Sequence, residues 1–197
     1  MKKLKETETH KNLMRSFAGE SQARNRYTFY AQAAQKQGYP LIQQVFEKTA
    51  DQEQMHAKVF FEFLAQEFNG EKIMVDADYP VDLYQEDTIE NLLASVTAET
   101  CEHETVYPSF ARIAEEEGFP KIAATFKMIA AVEAYHAQTF QKISDDLKAG
   151  KLFKQPEKTT WHCSVCGHLH EGKSAPAICP VCSHPKGYFF PEKAATT

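Results

Sequence analysis

No stretch of this 197-residue chain comes near the roughly eighteen uncharged apolar residues of a membrane helix, so no span is expected. A basic excess is missing as well. The 22 Lys and Arg are outnumbered by 27 Asp and Glu, and a formal net charge of -5 speaks against a nucleic-acid surface. The opening MKKLKETETHKNLMR is basic, but no apolar run follows it, so a signal peptide is not expected. These absences together lead us to expect a soluble, cytoplasmic protein. Cysteine is nearly absent before residue 160, where Cys101 stands alone. The other four of the five fall between residues 163 and 182, as two C-x-x-C pairs. In a cytosolic chain such clustering favours a metal site over disulfides.

What is present up to about residue 150 is Ala, Glu, Gln, Lys and Phe with a 3.6-residue apolar period, which predicts helices. They are expected over about 9–37, 40–68, 88–117 and 120–149, broken by GYP (38–40) and GFP (118–120). Some twenty residues, 69–87, separate the second helix from the third and carry no helical pattern. A 28-residue helix is about 42 Å long, and twenty extended residues reach about 66 Å. The connection can therefore run the length of a bundle and leave the two helices parallel. Short turns and one long crossover predict a mainly α fold, a ferritin-like four-helix bundle.

GYPLIQQVFEKTADQEQMHAKVF (38–60) repeats as GFPKIAATFKMIAAVEAYHAQTF (118–140) at an offset of 80. Gly, Pro, Ile, Phe, Ala, Glu, His, Ala and Phe recur in register. Each copy holds a Glu-x-x-His: Glu53 with His56, and Glu133 with His136. Residues three apart share a helical face, here the face of Phe46, Ala50, Phe60 and Leu64. One such pair is ordinarily a solvated pair. All four predicted helices, however, place an acid in the apolar stripe near mid-length: Glu20, Glu53, Glu99 with Glu102, and Glu133. Five carboxylates in one core would repel one another, and each would lose hydration worth several kcal/mol. Two divalent metals bring four positive charges to that site, and two imidazoles complete the shells. A Glu from each of two helices plus Glu-x-x-His from the other two is the di-iron or di-manganese carboxylate pattern. Mixed oxygen and nitrogen donors suit Fe(II) or Mn(II) and do not exclude zinc.

The third helix has an extra residue. Glu20 to Gly38 is 18 residues, whereas Glu99 to Gly118 is 19, which suggests a π-bulge near Pro108, whose ring frees the Glu104 carbonyl. Beyond the polar stretch 151–158, expected as a linker, helical periodicity stops, and five of the nine prolines lie beyond residue 155. Here Cys163-x-x-Cys166 and Cys179-x-x-Cys182 predict tetrahedral thiolate coordination in a small β-rich unit. So short a segment must draw folding energy from its metal. Zinc and iron both suit four thiolates; an electron-exchanging iron has a purpose beside a redox di-metal site. His162, His168, His170 and His184 are expected in solvent-facing loops. The expected division is 1–150 for the bundle, 151–158 for the linker and 159–197 for the metal unit.

SFAGESQARNRY (16–27), TADQEQMHA (49–57), YPSFARIAEEEG (107–118) and the cysteine-bearing tail, in this order, resemble the rubrerythrin family over nearly the whole chain. The resemblance implies a non-haem di-iron site held by Glu20, Glu53, Glu99, Glu102, Glu133 and His136. It also implies a rubredoxin-like iron held by Cys163, Cys166, Cys179 and Cys182. His56 would replace Glu102 on one iron in the reduced state, which accounts for the surplus acid. Tyr27 and Tyr107 match tyrosines that hydrogen-bond the ligand carboxylates, with plain core aromatics as the alternative. The activity implied is reduction of hydrogen peroxide, with electrons arriving from reduced pyridine nucleotide through a separate reductase or a rubredoxin. A homodimer is implied, one subunit's tail beside the other's di-iron site. Zinc can load either site after heterologous production. The rival readings are a ferroxidase that oxidises Fe(II) with dioxygen and a zinc-bearing structural or sensing protein. Cys101, two residues past Glu99, departs from the pattern and is expected to face away from the metals.

Overall fold

In a computed structural model, residues 3–68, 70–74 and 86–192 are described. Five α-helices come first: α1 (Glu8–Lys36), α2 (Pro40–Phe68), α3 (Thr88–Cys101), α4 (Tyr107–Glu116) and α5 (Pro120–Lys148). Sequence explains their ends. The Thr7 hydroxyl accepts the His10 N–H at the start of α1, and the Asp87 carboxylate accepts from Ile89 and Glu90 at the start of α3. Left-handed Gly38 and Gly118 close matching turns, with Tyr39 N–H on Ala34 O and Phe119 N–H on Ala114 O.

The expected single helix over 88–117 is interrupted. Glu102–Val106 is a π-helix, and the Tyr107 N–H reaches back five residues to the Glu102 carbonyl. The extra residue between Glu99 and Gly118 is absorbed there, so both ends of the helix keep their faces. Glu117, just past α4, then accepts Glu8 N–H at 3.1 Å, Thr9 N–H at 2.8 Å and the Thr9 hydroxyl at 2.6 Å. It ties the end of α4 to the start of α1.

Packing pairs give the direction of every helix. Tyr27 meets Phe46, Phe46 meets Phe140, Phe60 meets Phe126, and Tyr107 meets Phe126. Tyr27 also reaches Glu99. Thus α1 is antiparallel to α2 and to α3–α4, and α5 is antiparallel to α2 and to α3–α4. Helices α2 and α3 run the same way, as the predicted crossover requires; most of that connection, 75–85, lies outside the described residues. The core divides into two apolar clusters. One gathers Leu13, Phe60, Tyr107 and Phe126, the other Tyr27, Phe46, Leu92 and Phe140. The acids lie between them.

The tail is a three-stranded antiparallel sheet in the order β2-β1-β3, from β1 (Lys154–Cys163), β2 (Leu169–Ser174) and β3 (Phe189–Pro191). Strand β1 starts within the stretch expected as linker, and its register slips between Lys154 and Thr159, around Pro156. Trp161 is fully buried, with its indole N–H on the Gly172 carbonyl at 3.1 Å. At Gly187 the tail presses on the α1–α2 turn. A Cβ there would come within 2.1 Å of the Gly38 carbonyl oxygen.

Candidate metal centres

Helical spacing delivers the acids. Glu20 on α1, Glu53 on α2, Glu99 on α3 and Glu133 on α5 are each no more than 1% exposed, and His136 is 2% exposed. Their donor atoms form two groups, each within 4.8 Å: Glu20, Glu53, His56 and Glu133, and Glu53, Glu99, Glu133 and His136. Glu53 and Glu133 belong to both, the place of bridging carboxylates. His56 Nδ1 stands 2.9 Å from Glu53 and 3.0 Å from Glu133; His136 Nδ1 stands 2.7 Å from Glu133 and 3.2 Å from Glu53. The imidazole centroids are 6.1 Å apart. Of the expected ligands, only Glu102 lies outside both groups. It is nevertheless buried, at the start of the π-helix.

The electrostatics show what such a cluster lacks. Burial, then Glu53, Glu133 and Glu102, raise Glu20 well above the ordinary carboxylate range; burial, then Glu99 and Glu133, do the same to Glu102. Burial outweighs the His136 contact at Glu99 and pushes it up to about 8. Burial opposes the charge on Glu53 too, yet contacts with His136 and His56 hold it down to about 2. Against burial, the carboxylates push His56 up to about 10 and His136 up to about 12. The metal-free bundle therefore balances its acids by holding protons. Six inward atoms still lack hydrogen-bond geometry: Glu20 Oε2, Glu53 Oε1, Glu99 Oε2, both oxygens of Glu133, and His136 Nδ1. Buried, unsatisfied and converging, this oxygen-rich donor set with two imidazoles fits two divalent ions of the iron or manganese kind.

The surrounding residues hold the donors. The Tyr27 hydroxyl donates to Glu99 and the Tyr107 hydroxyl to Glu20. Three contacts were not anticipated from the sequence. His103 Nδ1 is 2.8 Å from the Ala130 carbonyl, so the π-helix is tied to α5. Arg26, 7% exposed, lies over the Tyr27 ring with 5.4 Å to its centroid. Gln52 Oε1 is 3.1 Å from His136 Nε2. Cys101 is exposed, as its position in the helix requires.

In the tail the two C-x-x-C turns repeat one hydrogen-bonding scheme. Gly167 N–H meets Cys163 O and Ser183 N–H meets Cys179 O, each at 2.9 Å, while Cys163 N–H and Cys179 N–H return to His168 O and His184 O. Gly167 and Ser183 occupy the same left-handed position, with φ of 77° and 61°. The sulfurs of Cys163 and Cys182 are 3.7 Å apart, and those of Cys166 and Cys179 are 3.6 Å apart. A tetrahedral ion with bonds of about 2.3 Å sets sulfurs about 3.8 Å apart, so the four thiols fit one ion. Although burial opposes it, the N–H groups of Cys182 and Val181 draw Cys179 down to about 6. The tail histidines differ from expectation. Only His162 is exposed; His162 and His170 lie on strands, His168 meets Phe189 edge-on, and His184 meets Tyr188. No helix among the described residues is long and apolar enough to cross a membrane.

The family model described as rubrerythrin matches residues 11–144, and that of the rubrerythrin rubredoxin-like domain matches 161–190. The chain is 47% identical to the rubrerythrin of Clostridium perfringens over 96% of each sequence. It is 44% identical to that of Nitratidesulfovibrio vulgaris, again over 96% of each. Among solved structures, nigerythrin in a mixed-valence state matches with TM-score 0.64 and 29% identity, over 96% of this chain and 91% of that one. A bacterioferritin from Desulfovibrio desulfuricans shares the fold, with TM-score 0.64 and 19% identity over 73% of this chain and 82% of its own.

Proposed function

We propose that this chain, which belongs to the rubrerythrin family, reduces hydrogen peroxide to water at a di-iron site in its bundle, with electrons relayed singly through an iron held by the tail cysteines. The observation that carries the reading is the coexistence, in one chain, of a buried carboxylate–imidazole cluster and a cluster of four cysteines. A storage protein has no use for the second. The overall change consumes one peroxide, two electrons and two protons and releases two waters.

In this reading Glu20, Glu53, Glu99, Glu102, Glu133 and His136 would hold the bundle irons, His56 would be the alternative ligand to Glu102, and Cys163, Cys166, Cys179 and Cys182 would hold the third iron. When bound, the bundle irons supply one electron each and polarise the peroxide bond. The protein residues do the rest. Glu53 and Glu133 offer donor atoms to both carboxylate–imidazole groups and would hold the two ions to one place. Tyr27 and Tyr107 orient Glu99 and Glu20 through their hydroxyls, and in doing so fix which carboxylate oxygens are left for metal. Glu102, whose burial favours the protonated form, is placed to carry a proton inward from the π-helix. The apolar clusters on either side keep bulk water out.

The tail's position bears on the relay. It rests on the α1–α2 turn, and Glu53 lies about 20 Å along α2 from Pro40 at 1.5 Å per residue. A chain's own tail is thus poorly placed to serve its own bundle, which supports a homodimer that exchanges tails. A separate reductase or rubredoxin would recharge the tail iron in the cytoplasm.

The test is anaerobic. The reduced, iron-loaded protein is mixed with stoichiometric peroxide while the visible band of the ferric tetrathiolate is followed. Return of the band far faster than with dioxygen is expected. Faster reaction with dioxygen would replace the proposal by Fe(II) oxidation, and absence of any thiolate band would replace it by a zinc-bearing tail.

A further inference from the structure

The two Glu-x-x-His pairs match in the repeat but not in their surroundings. His136 is held on both sides. Its Nδ1 faces Glu133, Glu53 and Glu99 at 2.7, 3.2 and 3.4 Å, and its Nε2 meets Gln52 Oε1 of α2 at 3.1 Å. His56 is held on one side. Among the described residues its contacts, to Glu53, Glu133 and Glu20 at 2.9, 3.0 and 3.9 Å, all fall at Nδ1. The repeat offset of 80 puts Val132 where Gln52 has its counterpart, and a valine side chain accepts no hydrogen bond. Exposure follows the same division: the His136 side chain is 2% exposed and that of His56 12%.

We propose that Gln52 is a positioning residue that fixes His136 as the permanent imidazole ligand, while Val132, in the matching place, leaves His56 free to turn. The proposal rests on the di-metal reading above. An amide oxygen at hydrogen-bond distance requires the proton on Nε2, so that Nδ1, which faces the carboxylates, is the nitrogen that would give up its proton and offer its lone pair to a metal. It also holds the ring against rotation about its Cβ–Cγ bond. His56 has neither constraint. The inequivalence is therefore built by one residue outside both metal groups, and it decides which end of the pair exchanges ligands.

The test uses the full chain, metal-free in the bundle, with its tetrathiolate filled by one equivalent of Zn(II). Co(II) is titrated anaerobically into the wild type, Gln52→Leu and Gln52→Glu, and absorption yields the binding constants and ligand-field bands. The wild type is expected to take two ions. Gln52→Leu should weaken one of them by about 10- to 100-fold, with a changed band, and leave the other as it was. Gln52→Glu, which keeps an acceptor oxygen at the same reach, should restore binding. Should Gln52→Leu fail to fold, Gln52→Ala takes its place. The proposal is overturned if both constants are unchanged, if both fall equally, or if Gln52→Glu is as weak as Gln52→Leu. Uptake of fewer than two ions by the wild type would instead sink the di-metal reading, and this proposal with it.

Discussion

Tyr27 and Tyr107 each give a hydroxyl to one carboxylate, on opposite sides of the bundle site. Tyr27→Phe removes one donor and keeps the ring packed against Phe46 and Phe140. The peroxide-driven return of the tetrathiolate band should slow by about tenfold, with iron content unchanged. An unaltered rate would leave Tyr27 as core filling. At this scale the sequence was most legible where charge met burial. Glu20, Glu53, Glu99, Glu102, Glu133, His56 and His136 stood out because ionisable groups in an apolar stripe need a counter-charge. Gln52 and His103 did not, since a half-buried amide or imidazole breaks no pattern. The mismatch of Gln52 with Val132 across the repeat was the available signal. Arg26 was hidden by the general rule that arginines face water.

Among the elements, the α1 terminus depends on a distant residue. Glu117 accepts two backbone N–H groups and a hydroxyl there. Glu117→Ala should cost about 1–2 kcal/mol in the unfolding of the metal-free chain, and Glu117→Gln, which keeps an acceptor, should cost less. No loss in denaturant midpoint would contradict this account of the junction. Helix limits and the π-segment followed from local chemistry: glycine–proline turns, caps, and a count of 19 residues against 18. Strand β1 did not. Lys154–Lys158 is polar, lacks alternation and contains Pro156, and it becomes strand only because β2 lies alongside. Tertiary pairing overrode local preference.

For the whole molecule, the raised acids and histidines set the response to pH. Glu99 goes from the ordinary carboxylate value to about 8 and His56 from 6.5 to about 10, so the folded, metal-free chain binds more protons than the unfolded one across that range. Its stability is then greatest below pH 4.5–6.5 and falls as pH rises through 8 toward 10. Glu53, lowered to about 2, acts oppositely, and its contribution is lost only in strong acid. Thermal midpoints of the metal-free protein should fall from pH 6 to pH 9, and iron loading, which displaces the protons, should remove that slope. The close seat of Gly187 on Gly38 has a genetic consequence. If each tail is parked on its own bundle's end and works for its neighbour, two crippled chains should rescue each other. Glu133→Gln, with a damaged bundle, and Cys179→Ser, with a damaged tail, are each expected to be inactive alone. Unfolded and refolded together in equal amounts, they should recover about a quarter of wild-type turnover, because half the dimers are mixed and each mixed dimer holds one intact pairing. A molecule that works within one chain would recover none.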